Sequence, residues 1–213
     1  SMRLEANASW LGGDGIAPVT DLQTPYALKV VSSAPLSQSL TYYFYFYLFE
    51  HGETGIEDAF VVWNDLGGRP VDLTVGQFQI SDPIFKRELR LEFEDYTMYR
   101  ARIGETRADL TYDRGVMITW SPPRWDLSAV VVNGTGKRAA DDGERFDTDA
   151  PKNVLGHASF TVTPSLRVGG VAFAGWQDGG DAGARVRSSV VMTGADATLT
   201  LGGLELNGQY LHR

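Results

Sequence analysis

The densest run of ionisable side chains in this sequence lies between residues 86 and 114. Its seven basic residues are Lys86, Arg87, Arg90, Arg100, Arg102, Arg107 and Arg114. Its seven carboxylates are Glu88, Glu92, Glu94, Asp95, Glu105, Asp109 and Asp113. Arginines on one wall of a narrow passage, facing carboxylates on the other, would create a transverse electric field that discriminates among ions. The alternative is a ladder of ion pairs that fills a narrow interior and conducts nothing.

A second acidic stretch could supply oxygen ligands to Ca²⁺. Its carboxylates are Asp141, Asp142, Glu144, Asp147 and Asp149. The spacing lacks the register of an EF-hand loop and its terminal glutamate. A solvated acidic loop is therefore the better interpretation of this stretch.

Other motifs of catalysis or cofactor binding are missing from the sequence. His51, His157 and His212 are isolated, and the chain contains no HExxH, CxxCH or phosphate-binding loop. No local signature joins Ser, His and Asp into a triad, so a barrel hydrolase is only a minor alternative. The absence of cysteine excludes disulfides and thiolate metal sites. We therefore expect no enzymatic activity, no cofactor and no bound metal.

The net charge and the hydropathy of the chain limit which partners and environments are expected. The net charge of −8 and the lack of a basic run argue against nucleic-acid binding. No apolar run approaches the roughly 20 residues of a membrane-spanning helix. A mean hydropathy of −0.18 suits a soluble chain, but it also suits a transmembrane barrel, because half of each strand faces water.

The β-strand is the element that must position these side chains, because apolar residues recur at every second position through most of the chain. In "TYYFYFYLF" (41–49), seven of the nine residues are aromatic. The two faces of that strand would carry, respectively, Tyr42, Phe44, Phe46 and Leu48, and Thr41, Tyr43, Tyr45, Tyr47 and Phe49. A tilted strand of this length crosses a hydrocarbon layer, so the Phe face would meet lipid and the tyrosine hydroxyls would meet water.

The same alternation predicts which residues face outward and which inward. Predicted to face outward are Phe44, Phe46, Val61, Trp63, Phe160 and Val162, and inward Tyr43, Tyr45, Tyr47 and Thr161. The alternative is a soluble β-sandwich whose dry core takes the Phe face. In that case Trp63, Trp120 and Trp176 would be stacking platforms for carbohydrate.

The connections between strands predict the topology. Tight turns are expected at "APLS", "DLGGRP", "SPPRW", "TPS" and "GADA", and long polar loops at 12–23, 133–152 and 177–185. From "SPPRW" onward the two kinds alternate, as in an up-and-down barrel with one short-turn rim and one long-loop rim. The predicted fold is all-β, an antiparallel up-and-down transmembrane β-barrel of roughly ten to twelve strands, with residues 1–213 as a single domain.

One segment fits this pattern poorly. "ELRLEFED" (88–95) alternates, but its polar positions are charged. It would be a strand with a charged inner face or a short helix folded into the lumen, and we favour the strand. Because Arg or Lys costs about 2–4 kcal/mol at the middle of a bilayer, these side chains must point inward or lie at a rim.

Three stretches resemble a known family. "EDAFVVWNDLGGRPVDLTVGQF" (57–78) resembles a hairpin of the phosphate-selective porins (porin O/P-like), in which a strand leads through a short turn into "VGQF". "GADATLTLGGLELNGQYLHR" (194–213) is similar to their later hairpin, and "LRVGGVAFAGW" (166–176) is similar to the strand before it. The resemblance implies a Gram-negative outer-membrane β-barrel that lets small hydrophilic solutes through.

The sequence departs from that family in two ways. Members are considerably longer and have more strands, and outer-membrane barrels usually end on an aromatic residue, whereas this sequence stops at His212-Arg213. We therefore expect the chain to be an incomplete barrel. The anion-binding lysines of the family have no clear match, so phosphate selectivity does not carry over.

The sequence thus predicts a porin-like channel of the bacterial outer membrane, for passive diffusion of small solutes or ions. The residues predicted to line its pore are Arg90, Arg100, Arg102, Arg107, Glu92, Glu94, Tyr43, Tyr45 and Tyr47. The equal numbers of acids and bases in 86–114 predict weak ion selectivity. The partners expected are outer-membrane lipid and small solutes or anions, with a homo-oligomer or a periplasmic partner left open. The rival interpretation is a barrel that sheathes a periplasmic redox protein, which would bring its own cofactor.

Overall fold

The computed structural model describes residues 2–13, 16–50, 53–84, 97–100, 110–137, 139–141, 143–147, 150–179 and 186–213. These residues are predominantly β, with eleven strands. The strands are β1 Met2–Gly13, β2 Ile16–Pro35, β3 Leu40–Glu50, β4 Glu53–Trp63, β5 Val71–Gln79, β6 Tyr112–Trp120, β7 Trp125–Val132, β8 Asn153–Thr163, β9 Leu166–Gly179, β10 Val186–Leu201 and β11 Leu204–His212. A 3-10 turn, Leu66–Gly68, and a short helix α1, Thr97–Arg100, accompany them. No helix in this part of the chain has the length and apolar character to cross a membrane.

The strands form one sheet in which each strand pairs with its neighbours in sequence. The predicted all-β, antiparallel up-and-down arrangement is confirmed, and eleven strands fall within the predicted number. β1 and β11 are the edges of the sheet, and the described residues contain no pairing between them. The closed barrel and its place in a membrane therefore remain proposals.

Side chains alternate between two faces of this sheet, as the two-residue period of a strand requires. In β8, Leu155, His157 and Ser159 are buried, whereas Val154 is exposed. We call the face that carries Leu155 and Ser159 the inner face, and the opposite face the outer face. Residues that pair across neighbouring strands lie on the same face. Val131 of β7, for example, pairs with Val154, and both lie on the outer face.

β3 shows the alternation that its sequence predicts. Tyr45 is buried on the inner face, where Tyr43 stacks on Phe60 with ring centroids 5.1 Å apart. Phe44 and Phe46 stack on each other on the outer face, 6.0 Å apart. The predicted division of β3 into a Tyr side and a Phe side is therefore confirmed.

Successive connections lie at alternate ends of the strands. The short-turn rim carries the connections 36–39, 64–70, 121–124, 164–165 and 202–203. The long-loop rim carries the connections 80–111 and 133–152 and the interval between Gly179 and Val186. From β6 onward the connections lie as predicted: 133–152 and the interval between Gly179 and Val186 share one rim, and 121–124 and 164–165 share the other. Earlier in the chain a short connection also lies at the long-loop rim, since β3 ends at Glu50 and β4 begins at Glu53. Strand direction, not loop length, defines the topology.

The predicted turn "GADA" (194–197) is wrong, because this stretch lies inside β10 and pairs with both β9 and β11. Two flanking ladders satisfy its backbone groups and override the local turn tendency. Gly194 is required for close approach instead, since a Cβ there would lie 2.3 Å from the Tyr210 carbonyl oxygen. The turn is formed by Gly202 and Gly203, and Gly202 has a φ of 61°.

The predicted loop 12–23 is also wrong, because β1 continues to Gly13 and β2 begins at Ile16. Proline cannot donate to a ladder and is confined within sheets to edges and bulges. Pro18 and Pro25 of β2 both lie where the β1–β2 register shifts. The two prolines are therefore accommodated within a long strand.

The connection between β5 and β6 packs on the inner face of the sheet. Its described residues join a hydrophobic cluster made of Phe78, Ile80, Ile84, Tyr99, Leu110, Val130, Val132, Leu155, Val171, Phe173, Val190 and Met192. The Ile80 amide donates to the Thr111 carbonyl at 2.8 Å, and the Leu110 amide donates to the Tyr99 carbonyl at 2.8 Å. The start and the end of the connection are thus held together.

This connection also reaches the far edge of the sheet. The Tyr99 hydroxyl donates to the side-chain oxygen of Gln209 on β11, and the Arg213 guanidinium donates to the Met98 carbonyl. The inner face is therefore bridged from β5 to β11. "ELRLEFED" (88–95), predicted as a strand, lies outside the described residues.

Replacing Gly194 by alanine is expected to weaken the β10–β11 pairing. The added methyl would overlap the Tyr210 carbonyl, and overpacking of this kind costs about 1–3 kcal/mol. The measurement is the free energy of unfolding in urea, followed by tryptophan fluorescence in detergent micelles. Gly208→Ala is the matched control, because a Cβ at 208 would meet no atom within 4 Å. Equal losses in the two variants would contradict the close contact.

Candidate functional site

The outer face is apolar and exposed. Its exposed large side chains include Ile56, Trp63, Val75, Val116, Ile118, Trp120, Trp125, Val131, Val154, Val162, Val168, Val191, Leu201, Leu204, Leu206 and Tyr210. Register pairs join five of its valines into a row across β4–β8, which we call the valine row: Val61, Val75, Val116, Val131 and Val154. Large contiguous apolar patches are rare on water-soluble monomers and are typical of surfaces that contact a partner or a membrane.

Aromatic residues border this surface beside the short-turn rim. Trp63 ends β4, Trp120 ends β6 and Trp125 begins β7. Trp125 packs on Phe160 with ring centroids 4.7 Å apart, and the Arg124 guanidinium lies 4.6 Å from the Phe160 ring centre. Arg124 also donates to two carbonyls of β8 at 3.0 and 2.9 Å. Trp rings beside a cationic side chain are typical of a membrane–water interface.

The inner face carries a polar cavity of about 780 Å³, which we call the acidic chamber. It is lined by side chains from β3 to β7 and from β9 to β11, and the β5–β6 connection contributes residues 82–84. Its carboxylates are Asp58, Asp72, Asp82, Asp126, Asp196 and Glu205. Arg167 is the only Lys or Arg among the described residues that line it. Six carboxylates against one guanidinium make the chamber attractive to cations.

Several of these side chains are held by hydrogen bonds. Arg167 donates from Nε to Ser159 Oγ at 2.7 Å, and its terminal nitrogen lies 3.4 Å from Asp126 Oδ2. His157 Nε2 lies 2.8 Å from Asp196 Oδ2. The chamber wall is thus an ordered polar network that links strands β7 to β10.

A buried ion pair lies on the inner face of β2–β4. Lys29 Nζ is 3.2 Å from Glu57 Oε2, with the side chains 1% and 6% exposed. The ammonium lies 5.5 Å from the ring centre of Tyr45, on the intervening strand. Gln77 of β5 donates to the Glu57 carbonyl at 2.8 Å. Removing two charges from water is costly, so each charge is tolerated only while its partner is present.

The β7–β8 loop folds back over the long-loop rim. The Arg114 guanidinium lies 4.0 Å from the ring centre of Phe146. Lys137 Nζ lies 5.3 Å from the ring centre of Tyr47 and 5.0 Å from that of Tyr112. Because Tyr47 belongs to β3 and Tyr112 to β6, Lys137 connects the loop to distant strands. The loop therefore contacts the ends of β3 and β6 at this rim.

The acidic stretch of this loop pairs with cations of the same loop. The Arg145 amide donates to Asp141 Oδ1 at 2.9 Å, and its guanidinium donates to Oδ2 at 3.0 Å. These bonds hold the pKa of Asp141 below its ordinary value. Asp147 pairs with Lys152 at 2.5 Å. Asp142 and Asp149 lie outside the described residues, within which no group of three potential metal ligands occurs.

The structure places only part of the predicted pore lining. Tyr43 lines the acidic chamber, Tyr45 lies under the Lys29 ammonium, and Tyr47 lies under Lys137. Arg100 is the last residue of α1. Outside the described residues lie Arg90, Arg102, Arg107, Glu92 and Glu94. The role of all these residues in a pore remains a prediction.

The chamber carboxylates and the Lys29–Glu57 pair are absent from the sequence-based prediction. Five of the six chamber carboxylates lie on five different strands and Asp82 lies in the β5–β6 connection, so only the folded sheet brings them together. A usable signal was present, because Lys29 is the single cation of the otherwise apolar run "YALKVV". A lone charge among apolar residues at strand spacing indicates a buried partner.

No protein-family model matches the chain, and a comparison with curated proteins finds no match. The similarity to phosphate-selective porins therefore rests on the short motifs quoted above, and a porin function remains a proposal.

Substituting Lys29 by methionine is expected to destabilise the protein strongly. The change removes the ammonium that lies 3.2 Å from the buried Glu57 carboxylate, and breaking a buried pair in this way costs about 3–5 kcal/mol. The double variant Lys29→Met/Glu57→Gln removes both charges and is expected to regain most of that loss. Urea unfolding in micelles measures all three proteins. A single variant as stable as the wild type would show that the pair is not buried.

Acid is expected to loosen the turn at Asp141–Arg145. The folded pKa of Asp141 is lowered, so its contribution is present above the ordinary value of about 3.9 and is lost as the pH falls through the folded value. The measurement is the hydrogen-exchange protection of the Gly143 and Arg145 amides, which both donate to Asp141. Asp141→Asn cannot titrate and is the control. Identical pH profiles in the two proteins would contradict the assignment.

Proposed function

We propose that this chain forms the wall of a β-barrel pore in the bacterial outer membrane, through which small hydrophilic solutes and ions diffuse passively. One observation carries the proposal. A single sheet presents an exposed apolar face on one side and a cavity lined by six carboxylates on the other. This is the reverse of a water-soluble protein, in which the apolar face is the one that is covered.

Lipid accounts for the outer face in energetic terms. Each exposed valine or leucine gains roughly 25 cal/mol for every Å² removed from water. In a hydrocarbon layer the valine row and the residues beside it would all be removed from water, and the sum of these free energies would stabilise the inserted sheet. The Trp residues beside the short-turn rim would lie at the membrane–water interface. A sheet in lipid must have no open edge, so pairing of the edge strands β1 and β11 is part of the proposal.

The inner face suits slow passage of small solutes. The acidic chamber can hold water, whereas the hydrophobic cluster beside it is closely packed by the β5–β6 connection. A wide aqueous channel is not compatible with this packing. The expected pore is therefore narrow, and its chamber would favour cations over the anions that the family resemblance implies.

The packing also favours a pore over the sleeve for a redox partner. A protein threaded through the interior would have to displace Ile80, Tyr99 and Leu110, which are almost completely buried. The soluble carbohydrate-binding sandwich is supported less well, because the described strands form one sheet and not two. Two of its proposed stacking residues, Trp63 and Trp120, instead lie beside the short-turn rim with the apolar outer face.

Lysine substitutions on the two faces of β6 test the membrane assignment. Val116→Lys would place a charge in lipid and is expected to lower the free energy of unfolding by about 2–4 kcal/mol if the residue lies near mid-bilayer. Thr119→Lys, on the chamber side of the same strand, is the matched control and is expected to cost much less. The measurement is urea unfolding from lipid vesicles. Equal costs, or a wild-type protein that stays monomeric without detergent or lipid, would contradict the assignment.

Conduction is tested separately in planar bilayers. The purified protein is expected to produce discrete conductance steps in KCl, and a reversal potential under a salt gradient that reports cation preference. Insertion into vesicles without any conductance would retain the membrane assignment and favour the sleeve.

A further inference from the structure

A groove opens at the long-loop rim, where β4 separates from β5. The last pair of the β4–β5 ladder toward this rim is Ala59 with Gln77. Beyond that point β4 continues to pair with β3 as far as Glu53, and β5 continues to pair with β6 as far as Gln79. The two pairs of strands therefore diverge, and the groove between them has a volume of about 790 Å³.

Gln77 connects the two strands where their ladder ends. Its Nε2 donates to the carbonyls of Ile56 and Glu57, each at 2.8 Å. Both carbonyls belong to the part of β4 that does not pair with β5. The amide side chain thus replaces ladder hydrogen bonds at the floor of the groove, and the divergence of the strands is stabilised by a specific contact.

The lining of this groove, which we call the rim groove, combines apolar and basic side chains. Its large or methyl-bearing apolar residues belong to the outer face and are Phe46, Ile56, Ala59 and Val75. Its charged residues are Arg114 and Lys137, and no carboxylate is among the described residues that line it. Because Val75 is also part of the valine row, the rim groove is continuous with the apolar outer face.

Contacts with the β7–β8 loop hold the Arg114 guanidinium in place. It donates to the Gly136 carbonyl at 3.1 Å and lies 4.0 Å from the ring centre of Phe146. The neighbouring carboxylate, Asp113, accepts hydrogen bonds from the backbone amides of Arg114 and Gly134. Arg114 is the third residue of β6, so it lies close to the long-loop rim.

The same loop places the ammonium of Lys137 at the groove. Its Nζ lies between two rings, 5.3 Å from the centre of Tyr47 and 5.0 Å from that of Tyr112. The residue is exposed, and it forms no ion pair with a carboxylate in the part of the chain that the structure describes. Asp141 and Asp147 of this loop pair with other cations. The positive charge of Lys137 is therefore available to a ligand.

We propose that the rim groove binds a lipid with an anionic phosphate headgroup, an inference that rests on the proposal that the outer face meets lipid. The phosphate lies at Arg114 and Lys137, since a guanidinium and an ammonium both form charge-assisted hydrogen bonds to phosphate oxygens. An acyl chain follows the apolar lining toward the valine row. Near the rim a charged side chain costs only about 0–1 kcal/mol, so two cations are tolerated at the level of the headgroups.

Native mass spectrometry of the protein in nonionic detergent micelles tests this inference, with dioleoyl phosphatidylglycerol and dioleoyl phosphatidylcholine as probes. The anionic lipid is expected to bind about ten-fold more tightly, as a charge-assisted hydrogen bond allows. Lys137→Gln is expected to lose most of that preference, and Lys137→Arg is expected to keep it. Equal affinities of the wild type for the two lipids would overturn the inference.

Lys152→Gln is the matched control. It removes one positive charge from the same loop, but Lys152 pairs with Asp147 and does not line the rim groove. This variant is expected to keep the wild-type preference for phosphatidylglycerol. An equal loss in Lys152→Gln and Lys137→Gln would show that net charge, and not the groove, decides the preference.

Two further measurements distinguish a lipid from free phosphate. Inorganic phosphate in large excess is expected not to displace phosphatidylglycerol, because it has no chain to contact the apolar lining. Ile56→Ser keeps both cations and alters an exposed side chain of that lining. It is expected to weaken the binding of both lipids. Displacement by phosphate alone, or unchanged affinities in Ile56→Ser, would contradict a lipid ligand.

Binding in micelles does not require conduction, so this inference and the proposed pore can fail separately. A preference for phosphatidylglycerol in a protein that does not conduct in planar bilayers would contradict the pore and support the lipid site. Conductance in a protein without that preference would support the pore and overturn the lipid site.

Discussion

The two-residue alternation of side chains, kept in register across the sheet, is the constraint on which the rest of the structure depends. Outer residues pair with outer residues from Val61 on β4 to Val154 on β8. A slip of one residue at any ladder would turn the valine row into the chamber and the chamber carboxylates outward. Close backbone contacts at Gly194 and Gly115 prevent such slips, because each glycine lies against a carbonyl of the next strand. The strand register is thus specified by the apolar outer face, by the polar inner face and by the close backbone contacts at these glycines.

The polar interior follows from the same constraint. Several polar side chains on the inner face are held by partners on other strands, as in Lys29–Glu57 and His157–Asp196. Pairs of this kind add little stability beyond their desolvation cost, but they penalise any arrangement in which one partner is missing. Their effect is to favour one relative placement of β2 to β4 and of β8 to β10, and hence one shape for the cavity between them.

Most of the strands could be predicted from the sequence, whereas the candidate site could not. β3 and β8 alternate so regularly that their faces follow from local pattern alone. "GADA" was mistaken for a turn because glycine and aspartate favour turns locally, and only flanking strands show that Gly194 serves close packing. The chamber depends on which residues of distant strands become neighbours, and a bulge after Tyr45 shifts the β3–β4 register beside Asp58. Asp126, Asp196 and Glu205 lie far apart in sequence, and nothing local connects them.

The β5–β6 connection has a consequence for the order in which the chain assembles. Every strand pair in the sheet joins neighbours in sequence, so the hairpins can form locally and quickly. The contact between Tyr99 and Gln209 instead joins residues 110 positions apart. Closing so long a loop carries a large entropic penalty that only a nearly complete sheet can offset. Docking of β11 onto the connection is therefore a late event, and the interior acquires its final packing only when the last strand arrives.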